Sequence, residues 1–147
     1  MDLETVVSLA QLAAVLIAAV AVMVTLKGIR NQLWLSAFLE FTGRYSQIMK
    51  AVPFEARNPH GTFDLDDLPE PERQEVLAAV RSYANLCSEE LYLYEHGRID
   101  ETTWESWKAG IRDTMRTPCF RRGWGMLRHE YEFYPEFRGM MDTLSEE

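Results

Sequence analysis

Residues 5–26 of this 147-residue chain read TVVSLAQLAAVLIAAVAVMVTL, a run without a single charged side chain. As an α-helix the run extends about 33 Å, and the hydrocarbon core of a bilayer is roughly 30 Å thick. A buried core helix of this length would normally carry charged residues on its outer side. The run therefore predicts a transmembrane helix.

The residues that flank this run argue against a cleaved signal peptide, which has basic residues before its apolar stretch and a small-residue cleavage site after it. Here Asp2 and Glu4 precede the run, whereas Lys27 and Arg30 follow it. Positive charge after a span marks the cytoplasmic side of the membrane. We expect one uncleaved span, with the N-terminus outside and the following residues in the cytoplasm.

The remainder of the chain differs in composition from the span. All 17 aromatic residues lie after residue 33, and residues 27–147 carry 21 acidic and 15 basic side chains, a formal charge of −6. Such a stretch is too apolar and aromatic to be disordered, and it is long enough for one hydrophobic core. We predict a tail and transmembrane helix over residues 1–26 and a cytoplasmic helical domain over residues 27–147.

The helical period of the span continues into the cytoplasmic part, to about Met49 and before Pro53. Trp34 begins this second stripe of apolar residues, which favours core packing over a place in the membrane-interface belt. Residues 51–71 contain four of the six prolines and are predicted to form a loop. The acidic run in this loop lacks the glycine and terminal glutamate of a calcium-binding loop.

Capping signals define four further helices. No alternating strand pattern accompanies them, so we predict an all-α bundle of about four to five helices. Cys87 and Cys119 lie on apolar helix faces, where cysteine acts as a small hydrophobic residue. The predicted helices are Glu70–His96 with Gly97 as its stop, one capped by Asp100 and running to Met115, one opened by Thr117-Pro118 and carrying Tyr131, and a short one after Tyr134-Pro135.

No metal or cofactor motif stands out in the sequence. His60, His96 and His129 are scattered and lack the i,i+4 partners of a helical metal site, and no glycine-rich phosphate loop follows a strand. We predict no metal, no cofactor and no assigned catalytic residue.

One pair of residues suggests an enzyme. Arg122 and His129 are separated by six residues on one predicted helix, a spacing that resembles the Arg and His pair of HEPN-type ribonucleases. The resemblance implies His129 as general acid or base and Arg122 as charge stabiliser. It departs from that family because Gly123 follows the arginine, where a polar residue is usual. In a chain rich in arginine the spacing also arises by chance, and a solvated helix face is the favoured interpretation.

Nucleic-acid binding is disfavoured by the acidic charge of the cytoplasmic part. The only basic cluster contains Arg121, Arg122, Arg128 and His129, and contact with anionic lipid is an alternative role for it. Within the span, small residues recur every four positions and permit close helix packing in lipid. This predicted packing face consists of Ala10, Gln11, Ala14 and Ala18.

The capping and aromatic positions resemble an uncharacterised group of bacterial proteins with one N-terminal transmembrane helix and a cytoplasmic helical domain. The resemblance implies the architecture and a bacterial inner-membrane location, and it assigns no activity. The matching residues are Gly97-x-Ile99-Asp100, Trp104-x-x-Trp107, Pro118-x-Phe120 with Trp124, Tyr134-Pro135-x-Phe137 and Arg44.

Three functions follow as hypotheses. The first is a non-enzymatic, self-associating membrane protein with an interaction, scaffold or regulatory role, whose partners are the lipid bilayer and another protein or a second copy. The second is a membrane-tethered ribonuclease that uses Arg122 and His129. The third is a small subunit of a larger membrane complex or channel.

Overall fold

The computed structural model of the chain describes residues 2–147. Among these residues there are α-helices and short 3-10 turns and no strand, which confirms the predicted all-α fold. The 3-10 turns are Glu55–Arg57, Leu65–Asp67 and Arg128–Tyr131. The α-helices are α1 (Leu3–Lys50), α2 (Glu70–Glu95), α3 (Glu101–Met115), α4 (Pro118–Leu127) and α5 (Pro135–Glu146).

Helix α1 is unbroken from the predicted span to the predicted end near Met49. It is long and apolar enough to cross a membrane, by length and composition. The chain consists of two compact units, and the boundary between them lies within this helix. The first unit ends at Glu40, and the second comprises Phe41–Glu147.

The first unit is a helix whose side chains are solvent-exposed. Every residue from Asp2 to Ser36 is exposed, including large apolar ones such as Ile17 at 71%. Trp34 is 40% exposed and stacks on Phe38, with ring centroids 5.6 Å apart. The prediction that Trp34 packs in the core is therefore wrong, because the buried residues of the core begin only at Met49.

The second unit contains the hydrophobic core. Its centre is aromatic, with Phe120 and Phe137 at 0% exposure and Trp124 at 2%. Tyr83 of α2 meets Phe120 edge-on at 5.1 Å, and Trp124 meets Phe137 in the same way at 5.8 Å. Since a buried large apolar side chain contributes about 1.5–3 kcal/mol, these rings supply much of the stability of the unit.

The end of α2 and the start of α3 carry the capping residues that the sequence predicts. Gly97, after α2, has φ +64°, the left-handed conformation that glycine adopts without strain. The Asp100 carboxylate accepts a hydrogen bond of 2.9 Å from the Thr103 amide at the start of α3. Both signals are local, which is why the sequence alone reveals them.

Two details of the predicted helices differ in the structure. Thr117 precedes α4, but its hydroxyl does not cap that helix and donates instead to the Thr114 carbonyl at 2.8 Å, which also accepts from the Thr117 amide. Helix α4 ends at Leu127, and Tyr131 lies instead in a 3-10 turn. Tyr131 nevertheless stays buried, with its hydroxyl donating to Asn85 at 2.7 Å.

The segment predicted as a loop is irregular, as expected, but it also contributes to the core. Val52, Ala56 and Leu65 are 1%, 1% and 0% exposed. The segment therefore packs as part of the folded unit and holds polar side chains beside α4.

Cys87 on α2 and Cys119 on α4 are buried and free, in agreement with their predicted apolar positions.

Candidate functional site

Arg122, the proposed charge stabiliser of the ribonuclease hypothesis, forms an ion pair. It lies on α4, and its Nε and Nη2 donate to Oδ2 of Asp66 at 3.1 and 2.7 Å. Asp66 comes from the 3-10 turn Leu65–Asp67, so the pair links the irregular segment to α4. One acid of the predicted acidic run thus has a structural partner.

His129 lies elsewhere, exposed on the 3-10 turn that follows α4. Arg122 lines a groove of about 580 Å³ with Phe63, Asp66 and Arg121. Of the two predicted residues, Arg122 alone lines this groove. The ribonuclease hypothesis stays a prediction, which RNA cleavage by a His129→Ala variant tests.

The basic cluster that contains these residues is partly neutralised by ion pairs. Arg128 donates to Asp142 at 2.6 Å, and Asp142 also accepts from the Trp124 indole at 2.9 Å. Arg122 is paired with Asp66. These contacts connect α4 to its neighbours and reduce the net positive charge that the cluster presents.

The predicted packing face of the span lies in the first unit. Ala10, Gln11, Ala14 and Ala18 are all exposed on α1. At about 100° per residue, these positions fall within one side of the helix. The face is accessible to lipid or to another helix.

A second, larger groove in the unit Phe41–Glu147 has no counterpart in the sequence-based predictions. Its volume is about 670 Å³, and its lining combines the end of α1, the segment around Arg57 and His60, and the junction of α3 and α4. Apolar lining comes from Tyr45, Met49 and Phe120. Four chain segments contribute, so no single local motif indicates this groove.

The three basic side chains that line the groove differ in their hydrogen bonds and ion pairs. Arg57 donates from Nε and Nη2 to the Val52 carbonyl, at 3.0 and 2.8 Å, just beyond the end of α1. Arg116 lies 3.6 Å from Asp113, a loose ion pair between exposed side chains. His60 is exposed, and its backbone amide is bonded to Asn58 in a turn.

No protein-family model, curated protein or solved structure matches this chain. The roles assigned to individual side chains therefore come from the geometry of this chain alone. The resemblance to an uncharacterised bacterial group remains a prediction.

A half-buried carboxyl group on α2 lies outside both grooves. Burial raises the pKa of Glu90 on α2 to about 8, Arg44 opposes this shift, and neighbouring Glu89 adds to it. Arg44 itself donates to both carboxylate oxygens of Glu89, at 2.5 and 2.8 Å. Glu90 is thus an acid that holds its proton near neutral pH, at the place where the end of α1 pairs with α2.

In residues 2–147 no group of three His, Cys, Asp or Glu side chains is arranged to bind a metal ion.

Proposed function

We propose that this chain is a single-span membrane protein that self-associates and acts as a scaffold or regulator rather than as an enzyme. Its N-terminus lies outside a bacterial inner membrane, and the domain from residue 27 lies in the cytoplasm. The observation that carries the proposal is the exposed apolar surface of α1.

That surface needs an apolar environment. Residues 5–26 have no charge, and the side chains of Asp2 to Ser36 are exposed throughout. Leaving such a surface in water costs about 25 cal/mol for each Å² of apolar area. A bilayer covers it, and Lys27 with Arg30 after the span supports the proposed orientation.

The partner is a second copy of the same chain, packed through the face of Ala10, Gln11, Ala14 and Ala18. Small residues at intervals of four let two helix backbones approach closely in lipid. Gln11 places an amide within the apolar run, where hydrogen bonding to the same residue of another copy stabilises a symmetric pair.

The test is the mass of the full-length protein in lipid nanodiscs, by native mass spectrometry. We expect a dimer or a larger closed oligomer, and we expect Ala14→Ile to shift it toward monomer because the larger side chain separates the helices. The matched control is Ala19→Ile, the same change about 140° away around the helix. It should leave the mass unchanged.

A wild-type chain that is strictly monomeric in nanodiscs at high protein-to-lipid ratio contradicts self-association. Equal loss of oligomer in Ala14→Ile and Ala19→Ile contradicts the assigned face. Recovery of the full-length chain in the soluble fraction after carbonate extraction contradicts the membrane span.

A further inference from the structure

We propose that the 670 Å³ groove between the end of α1, the segment 57–60 and the junction of α3 and α4 binds a small organic anion. The ligand has an apolar, flat body and a phosphate or carboxylate head. This proposal does not depend on self-association, because all of its residues lie in the unit Phe41–Glu147.

The floor of the groove suits an apolar body. Tyr45, Met49 and Phe120 line the groove, and Tyr45 offers the most accessible surface of the three, at 43% exposure against 9% and 0%. The volume of about 670 Å³ falls within the range of about 300–1,000 Å³ that is typical of small-molecule sites. An apolar ligand body here would cover part of Tyr45 and exclude water from it.

The charge of the groove is opposite to that of its surroundings. Phe41–Glu147 contains 20 acidic and 13 basic side chains, a formal charge of −7. The groove nevertheless collects Arg57, His60 and Arg116 against a single acid, Asp113. The basic residues of this lining outnumber its acids, which favours an anionic head group here.

Arg57 is positioned in advance of binding. Two of its guanidinium nitrogens are bonded to the Val52 carbonyl, and in residues 2–147 no carboxylate lies within ion-pair distance of it. Eight other arginines of this unit pair with carboxylates, among them Arg122 with Asp66 and, more loosely, Arg116 with Asp113. Capping the end of α1 uses one edge of the Arg57 guanidinium and leaves Nη1 for a ligand.

Gly110 lines the groove on the α3 side. A Cβ placed on Gly110 meets no heavy atom within 4 Å, so a larger side chain fits there without a clash at its Cβ. This position offers a way to fill the groove and leave its charges unchanged.

The experiment uses the full-length protein in zwitterionic nanodiscs, with 1-naphthyl phosphate as a fluorescent probe followed by anisotropy. We expect saturable binding, weaker competition by inorganic phosphate, and no binding of 1-naphthylmethylammonium. Arg116→Gln should weaken binding by about fivefold or more, since one charge-assisted contact is lost. Arg121→Gln removes the same charge at the other groove and should change binding less than about twofold.

Gly110→Leu should abolish binding with the helical circular dichroism unchanged. If that variant is unfolded, the comparison of Arg116→Gln with Arg121→Gln decides the question by itself.

Dihexanoyl phosphatidic acid, titrated in the same assay, distinguishes a lipid ligand from a soluble phosphate or carboxylate. Tighter binding than 1-naphthyl phosphate, with the same sensitivity to Arg116→Gln, assigns a lipid, and weaker binding assigns a soluble phosphate or carboxylate.

Two results overturn the proposal. One is the absence of saturable binding of either phosphate probe up to millimolar concentration. The other is equal weakening by Arg116→Gln and Arg121→Gln, which would place the probe on basic surface in general and not in this groove.

Discussion

Gly123 occupies the place where α4 comes close to α2. A Cβ on Gly123 would lie 3.0 and 3.1 Å from the two Cγ atoms of Val80, whose side chain is 2% exposed. Glycine inside a helix costs about 0.5–1 kcal/mol relative to alanine, so its presence here reflects the need for close packing. The same contact explains why a glycine stands beside Arg122, where the ribonuclease resemblance would have a polar residue.

We therefore predict that Gly123→Ala is less stable than Gly125→Ala by about 1–3 kcal/mol in urea unfolding, because the added methyl group displaces Val80. Gly125 is the matched control, since it lies in the same helix and a Cβ there meets nothing within 4 Å. Gly125→Ala should be as stable as wild type or more so. Equal effects of the two substitutions would show that α4 and α2 are not in this close contact.

Glu90 makes stability depend on pH. Because burial raises the pKa of Glu90 to about 8, while its unfolded value is near 4.5, the folded state holds a proton that the unfolded state has lost. The stabilising contribution is complete below pH 4.5 and is lost as the pH rises toward 8. We predict that Glu90→Gln flattens this decline and is more stable than wild type at pH 8.

The measurement for Glu90 is urea unfolding of wild type and Glu90→Gln at pH 5 and pH 8. Glu75→Gln, an exposed glutamate on the same helix, is the control and should keep the wild-type pH dependence. Glu89 contributes stability with the opposite pH dependence, lost as the pH falls, because the hydrogen bond from Arg44 lowers the pKa of Glu89. An unchanged pH dependence in Glu90→Gln would exclude Glu90 as its source.

Single elements depend on their caps, and α3 is the clearest case. The Asp100 carboxylate accepts from the Thr103 amide at 2.9 Å and from the Thr103 hydroxyl at 2.9 Å. Its pKa is lowered by the hydrogen bond from the Thr103 amide and then by that from the hydroxyl. The first turn of α3 carries the aromatic residue Trp104, which is 3% exposed, so fraying of this turn would disturb the core.

We predict that Asp100→Ala lowers the free energy of unfolding, whereas Asp100→Asn changes it much less, because asparagine also caps a helix well. Thermal or urea unfolding monitored by far-UV circular dichroism measures the difference. Similar losses in both variants would indicate that the charge of Asp100, and not its capping geometry, stabilises α3.

At the scale of the whole molecule, the division within α1 separates two different environments. The buried core lies entirely within residues 49–144, and Arg44 joins α2 from just inside the second unit. The first unit contributes no buried residue from Asp2 to Glu40. We therefore expect the core to fold without the exposed apolar helix.

We predict that a fragment of residues 41–147 folds cooperatively and is soluble, with near-UV circular dichroism from Trp104 and Trp124 like that of the full-length protein. The full-length chain should instead be extracted only by detergent. Loss of a cooperative transition in the fragment would mean that α1 before Phe41 contributes to stability.

Much of the fold was predictable because its signals are local. The charge-free run 5–26, the glycine at residue 97 and the cap at Asp100 each act over a few neighbouring residues, and the structure has the expected helices there. The end of α4 and the role of the Thr117 hydroxyl were not predicted correctly. Both depend on which neighbouring group is nearest in space, and hydropathy periodicity carries no such information.

The all-α class, a helix long and apolar enough to span a membrane, and most helix boundaries follow from the amino-acid sequence, because periodicity and capping are properties of adjacent residues. The pairing of Arg122 with Asp66 and the half-buried position of Glu90 near Arg44 and Glu89 depend on tertiary packing. The same packing brings Arg57, His60 and Arg116 to one groove. These relations join residues distant in sequence, and their distances are set by how the core packs.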